Sequence, residues 1–231
     1  MKKIFLFSVI VLLSTLVGCS KDTENEPLPS DDGDKTQPEW TNSDNFVLVQ
    51  LAKASNTLGC TLTDVMTFES EGWAVTDEIT YVHLEKTIDN VDVVMNCYMS
   101  GGIVYHTTCS LSPAGKGTVL DSLSYVKEAA VTLTSQLVLT TSETCDFRLM
   151  RYKEISSDKF QTVTSFDEAM AAINMDDYSY IVVWADQAST NYEDLSDAIW
   201  FGTVSGLNMG IAKSPGTGCI VSMEIASKLY K

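Results

Sequence analysis

Ile4 to Val17 is an apolar run broken only by Ser8, Ser14 and Thr15, and Ser20 to Glu39 then carries hardly any apolar residue. From Trp40 onward, apolar positions recur with the periods of helices and strands. Phe46, Val49, Leu51 and Leu58, with cap residues among Asn42–Asn45 and Gly59 as a stop, predict a helix over about 45–58, although Leu48-Val49-Gln50-Leu51 also fits a strand. Thr61 to Gly72 reads as a connection. Thr80 to Ile88 alternates, with Tyr81, His83, Glu85 and Thr87 on one face and Val82, Leu84, Lys86 and Ile88 on the other. Asp89-Asn90 is a tight-turn pair. Val91–Met99 and Ile103–Leu111 are two further apolar strands, parted by Gly101-Gly102 and ended by Pro113-Ala114-Gly115. Together these three strands predict an antiparallel meander.

Past the meander, Leu120, Leu123, Val126 and Ala130 keep helical spacing behind a capping arrangement at Thr118–Asp121, which predicts a helix over 119–130. Val131, Leu133, Leu137 and Leu139, with intervening Thr132, Thr134 and Thr140, switch toward period two. Their β-branched density favours helix followed by strand over one long helix. Cys145–Ile155 reads as a strand. Ser165-Phe166-Asp167-Glu168 is a capping box, in which hydroxyl and carboxylate satisfy orphan amides, and it opens a helix running to about Met175. Tyr178–Trp184 and Ala198–Ser205 read as strands. Glycines punctuate the C-terminus, and Cys219–Leu229 fits a strand or a helix. No internal repeat is visible. This order predicts an α+β fold, a mainly antiparallel sheet with two or three helices packed on one face, in a single globular domain of residues 40–231.

The N-terminus carries a different kind of signal. Basic Met1-Lys2-Lys3, the apolar run and Leu16-Val17-Gly18-Cys19 have the layout of a secretory signal, with Cys where a small residue is usual at the cut. The run is shorter than the ~20 residues that span a bilayer. The stretch closely resembles the bacterial lipoprotein lipobox. That resemblance implies cleavage of residues 1–18 and acylation of Cys19, which would hold the protein on a membrane through two or three lipid chains, where one alone binds marginally. Residues 19–39, with Pro27, Pro29, Pro38 and seven acids, have the composition of a flexible, charge-extended tether. Ser20-Lys21-Asp22-Thr23-Glu24 resembles the acidic export segment of surface lipoproteins of Bacteroidetes-type bacteria. The expected location is therefore the cell envelope, as a surface-exposed outer-membrane lipoprotein.

Charge narrows the partners. The chain has a formal charge of −16, and removing residues 1–18 takes away Lys2 and Lys3 and no acid, leaving −18. Such a chain is a poor ligand for nucleic acid, whose phosphates must be neutralised by Lys and Arg, and for an anionic lipid surface. Besides Cys19, five cysteines remain: Cys60, Cys97, Cys109, Cys145 and Cys219. At most two disulfides can form among them, their pairing is open, and their spacing matches no metal-ligand pattern. Cys97 and Cys109, in apolar runs, also fit small buried hydrophobes.

Candidate chemistry is sparse. Cys60 after Gly59, with His106 downstream, is the one thiol and base in an order that faintly resembles papain-like cell-wall endopeptidases, but the Asp-Cys-Ser-Gly surround of that family's nucleophile is missing. In a strand, His106 and Cys109 face opposite sides, so they make no metal pair. No Gly-x-Ser-x-Gly occurs, and Ser214-Pro215-Gly216-Thr217-Gly218 lacks the lysine of a phosphate loop. Asp31-Asp32-Gly33-Asp34 lacks the alternation and distant Glu of an EF-hand. No cofactor is expected, calcium being the one ion the acidic stretches suggest. The densest group of carboxylates is Asp186, Glu193, Asp194 and Asp197, read as a loop between two strands, with Tyr192 and Trp200 nearby in sequence. Carboxylates beside aromatic rings suit hydroxyl-rich ligands, so these six are the ligand-binding candidates. The leading expectation is a non-enzymatic module that binds a ligand, a glycan or a surface protein. The alternatives are a cell-wall or glycan hydrolase, built on Cys60 and His106 or on a carboxylate pair, and a structural subunit of a surface assembly.

Overall fold

The computed structural model describes residues 44–135, 147–163, 168, 178–186, 191–214 and 218–231. The expected signal and tether, with Cys19, lie outside the described residues, as do Cys145 and the expected 165–175 helix except Glu168, which is helical. Helix α1 (Phe46–Ser55) is capped by Asn45, whose side chain accepts from the Leu48 amide. Helix α2 (Leu62–Met66) follows, opened by a capping box between Thr61 and Asp64, and a 3-10 turn (Thr67–Glu71) leads into the sheet. The segment read as a plain connection is thus two short helical pieces.

The nine strands among the described residues form one antiparallel sheet in the order β1-β2-β3-β4-β9-β8-β7-β5-β6. They are β1 (Ala74–Asp77), β2 (Tyr81–Ile88), β3 (Val91–Ser100), β4 (Ile103–Pro113), β5 (Phe147–Glu154), β6 (Gln161–Val163), β7 (Tyr178–Ala185), β8 (Gly206–Ser214) and β9 (Gly218–Ala226). Between β4 and β5 comes α3 (Leu123–Ser135), and between β7 and β8 comes α4 (Tyr192–Trp200). The α+β class and the antiparallel meander are as expected. Asp89 and Asn90, at φ 50° and 62°, form the two-residue hairpin that the pair signals. The connectivity repeats itself where the residues do not. A helix followed by four antiparallel strands occurs twice, as α1 with β1–β4 and as α3 with β5, β7, β8 and β9, and the two halves join where β4 pairs with β9.

Three expectations need correction. The strand expected after residue 130 is, through Ser135, a continuation of α3. Lengthening a formed helix adds one bond per residue fixed, and β-branched residues cost only tenths of a kcal/mol there. The 186–197 loop and the 198–205 strand are corrected too. Tyr192–Trp200 is helix, capped by Asn191, with Glu193 and Asp194 in the first turn where the helix dipole favours acids. Tyr192, Leu195, Ser196 and Ile199 make its buried face. Apart from these, Gly206–Ser214, a segment to which the pattern assigns no element, is a strand.

Alternation sorts the sheet into two faces. One carries Val82, Leu84, Val93, Met95, Cys97, Cys109, Leu111, Met209, Met223 and Ile225, all buried, and forms the main core. Helices α1 and α3 pack on it. Thr57, just past α1, shares a 2.7 Å hydroxyl contact with Thr107 of β4, and Lys127 of α3 sits 4.6 Å from the Tyr180 ring centre. The Tyr125 hydroxyl accepts from the Phe46 amide and ties the two helices together. Helix α4 lies on the opposite face, over β7, β8 and β9. Over β2–β4 that second face carries no described helix. A bulge decides what it presents. Tyr98 pairs with His106 but Met99 pairs with Val104, so Tyr105 is an extra residue. Val104 therefore turns into the core while His106 turns to the second face.

Candidate functional site

His106 and Glu224 are each 1% exposed, and His106 Nε2 lies 3.1 Å from Glu224 Oε1. They come from β4 and β9, the strands at which the two halves of the sheet meet. Asn208 of β8 donates through Nδ2 to Glu224 Oε2 at 3.4 Å and to Ser196 Oγ of α4 at 3.2 Å. This polar chain runs from the sheet into the helix above it. Burial pushes the Glu224 carboxyl above its ordinary range, the hydrogen bond and charge of His106 and the Asn208 amide pull it back, and Asp197 raises it again. Tyr192, on the same helix face, has its hydroxyl pushed up by burial.

In front of the pair stands a ledge of rings. The Tyr98 ring centre lies 4.9 Å from His106, 5.3 Å from Tyr81 and 5.2 Å from Trp200, and Trp200 meets His106 edge-on at 5.0 Å. Tyr81, Tyr98 and Trp200 are only half-buried, so the ledge is open to ligands whereas the His106–Glu224 contact is not. Beside it, His83 Nδ1 is 2.8 Å from Asn96 Oδ1, and Asn96 Nδ2 donates to Thr108 Oγ1 at 3.1 Å. Three adjacent strands thus present a hydrogen-bonded ladder, also half-buried, next to the rings.

The residues singled out in the sequence are dispersed. Cys60 follows α1, its thiol directed to the Asn56 carbonyl at 3.4 Å, whereas His106 faces Glu224, Tyr98 and Trp200 on the second face of the sheet. Asp186 ends β7 and pairs with Lys228. Glu193 pairs with Arg151 at 2.8 Å, and the Arg151 guanidinium sits 4.7 Å from both the Phe160 and Tyr192 rings. Glu193, Asp194 and Asp197 lie on the solvent side of α4, while Tyr192 and Trp200 point toward the sheet. Only Tyr192 and Trp200 therefore join the ring and network region. Glu224, Asn208, Tyr98 and Tyr81 were not singled out. A lone acid inside the apolar run Cys219–Ala226 was the available signal for Glu224.

Cys60, Cys97, Cys109 and Cys219 are free thiols. Burial pushes the Cys97 thiol up to about 11, and Cys109 and Cys219 shift the same way, so these three are small core hydrophobes rather than nucleophiles. Among the described residues no group of three or more His, Cys, Asp or Glu is arranged to hold a metal ion, and no helix is long and apolar enough to cross a membrane. No family model, no curated protein and no solved structure matches this chain.

Proposed function

We propose that this chain is a lipid-anchored lipoprotein of the outer membrane, displayed at the cell surface, whose domain binds a ligand without turning it over. The binding surface is the open half of the second sheet face. One observation carries the site: half-buried Tyr81 and Tyr98 of β2 and β3, flanked by Trp200 from the end of α4, beside the His83–Asn96–Thr108 ladder. Apolar ring faces with a few placed polar groups are what a binding site needs. Binding is favoured over turnover because His106 and Glu224 are buried out of reach of a substrate, and Cys60 lies elsewhere.

Two measurements test the two parts. Cys19→Ser should move the protein out of the membrane fraction; a mutant that still pelleted with membranes after a high-salt wash would overturn the anchor. For the site, hydroxyl-radical footprinting would compare the full chain in cell envelopes with the purified chain in detergent. Tyr81, His83 and Tyr98 should be protected in the envelope, with exposed Phe160 as the unchanged reference. Equal reactivity in both settings would overturn the site. Protection confined to Val75 on the edge strand β1 would instead point to strand addition by an assembly partner.

A further inference from the structure

The two ends of the sheet differ in character. Strands β2, β4 and β8 begin, and β3, β7 and β9 finish, at one end. There Ile79, in the turn between β1 and β2, is fully exposed, Phe201 at the close of α4 is 57% exposed, and Leu229 past β9 is 54%. No other large hydrophobic among the described residues exceeds 39%. Contacts stitch this end into one surface. Ser100 of β3 donates to the Lys231 carbonyl oxygen at 3.2 Å, and Lys231 Nζ donates to the Phe201 carbonyl and lies 5.8 Å from the Tyr105 ring centre. Beside Ile79, the Thr80 carbonyl accepts from the Met99 amide at 3.3 Å. The opposite end carries polar turns: Asp89-Asn90 after β2, and residues 114–117 after β4, where Asp121 accepts from the Gly117 amide at 2.8 Å.

Area, reach and composition choose what covers the apolar end. Three side chains offer on the order of 400 Å², whereas a stable protein interface takes ~800 Å² from each partner. A bilayer asks for less, because acyl chains at Cys19 would make the contact intramolecular. The described chain begins at the polar end. Asn45 donates to the Tyr125 carbonyl at 3.3 Å, just past Asp121, which packs against Gly218 at the start of β9. Helix α1 then runs to the apolar end, where the Gly59 amide donates to the Val104 carbonyl at 2.9 Å. The eleven residues of β4 make the sheet about 36 Å tall at ~3.3 Å per residue. Residues 20–43 extend to at most about 80 Å, enough to pass the whole domain and leave its apolar end on the membrane. Half-buried Tyr105, Trp200 and Tyr230 stand around the patch with exposed Lys228 and Lys231. Such rings and lysines settle at a membrane–water boundary. Asp77 and Glu78 stand beside Ile79, and Lys228 pairs with Asp186, so this end has no surplus of positive charge to draw anionic lipid.

We propose that the apolar end of the sheet rests on the membrane that holds the lipid anchor, with Ile79, Phe201 and Leu229 set into the headgroup level of a zwitterionic bilayer. This rests on the anchor in the proposed function and not on the ligand ledge. Insertion of apolar side chains drives the contact, and the tether supplies the local concentration that so small a patch needs. The domain then stands inverted, its first helix starting away from the bilayer and the tether returning along its side. A second copy of the chain is the other occupant that the test resolves.

The experiment places the acylated full chain in phosphatidylcholine vesicles and reads fluorescence quenching by phosphatidylcholine brominated along its acyl chains. Phe201→Trp is the reporter. Phe160→Trp is the reference, 39% exposed and beside Lys153, near the polar end where β5 finishes. The fluorescence added by Phe201→Trp should be quenched at least threefold more strongly than that added by Phe160→Trp. Combining the reporter with Ile79→Asp, at a fully exposed position, should cut the docked-to-undocked ratio roughly tenfold, while Ile79→Leu should leave it near the parent value. Replacing part of the lipid with phosphatidylglycerol should not strengthen the quenching. The proposal is overturned if the two reporters are quenched equally, if Ile79→Asp changes nothing, or if quenching rises with phosphatidylglycerol. It is also overturned if Phe201→Trp shifts to the blue with protein concentration in detergent and is not quenched in vesicles, which would identify a second copy. A chain that does not float with the vesicles would discard the anchor and this docking together. A chain that floats without quenching would discard the docking alone.

Discussion

His106→Ala is expected to lower the unfolding free energy by about 3–5 kcal/mol at neutral pH, because it leaves one member of a buried pair without its partner. Glu224 would keep only the Asn208 amide while remaining 1% exposed. The loss should depend on pH in a defined direction. The Glu224 carboxyl is raised in the folded chain from an ordinary value of 4.5. A raised group contributes its full stability below the unfolded value, and that contribution is lost as pH rises through the folded value. Removing His106 removes the contacts that oppose the rise, so the mutant's loss should be smallest below pH 4.5, where only the cavity left by the ring remains, and grow above it. Guanidinium unfolding of the purified protein at several pH values would measure this. In His106→Ala/Glu224→Gln the carboxylate is gone, and the combined cost should fall short of the sum of the two single costs. A cost under about 1 kcal/mol at every pH would mean that water reaches the pair, contrary to its burial.

The pair also marks the boundary of what the chain pattern discloses. Strands β2, β3 and β4 were legible because their alternation is local and their turns are written as Asp89-Asn90 and Gly101-Gly102. The face assignment of Tyr81 and His83 followed from the same alternation. Helix α4 was harder to see because acids occupy its exposed side and aromatics both its ends, which mimics a loop between strands. Strand β8 was hidden for a related reason. Gly206, Asn208 and Gly210 alternate with Leu207, Met209 and Ile211, so the side facing α4 is small or polar and the hydrophobic signal is half-strength. The site itself could not be read from neighbours in sequence. His106 and Glu224 are 118 residues apart, and only the β4–β9 junction brings them together. The bulge at Tyr105 then decides which side His106 takes, and nothing in Tyr98–His106 announces it.

Ile199→Ala is expected to cost about 2–5 kcal/mol, the range for truncating a fully buried aliphatic side chain, and to release α4 before the rest of the domain. Ile199 is 0% exposed and Leu195 1%, and together with Tyr192 they hold nine residues of helix against β7, β8 and β9. A helix this short is not stable alone in water, so its order comes from that docking. The opposite face of the sheet carries α1 and α3, on the far side from α4. Native-state hydrogen exchange should therefore show amides of Leu195–Phe201 losing protection while those of Val49–Asn56 in α1 keep theirs. Ile199→Val, which leaves most of the contact, should cost only about 0.5–1.5 kcal/mol. Protection lost equally in α1 and α4 would mean that the two faces unfold as one unit. The local outcome reaches the binding surface, because α4 supplies Trp200, which stands 5.2 Å from Tyr98 and 5.0 Å from His106. Undocking α4 removes one side of the ring ledge and uncovers the His106–Glu224 pair together, so ligand affinity and the protection of α4 should fall in parallel across the Ile199 variants.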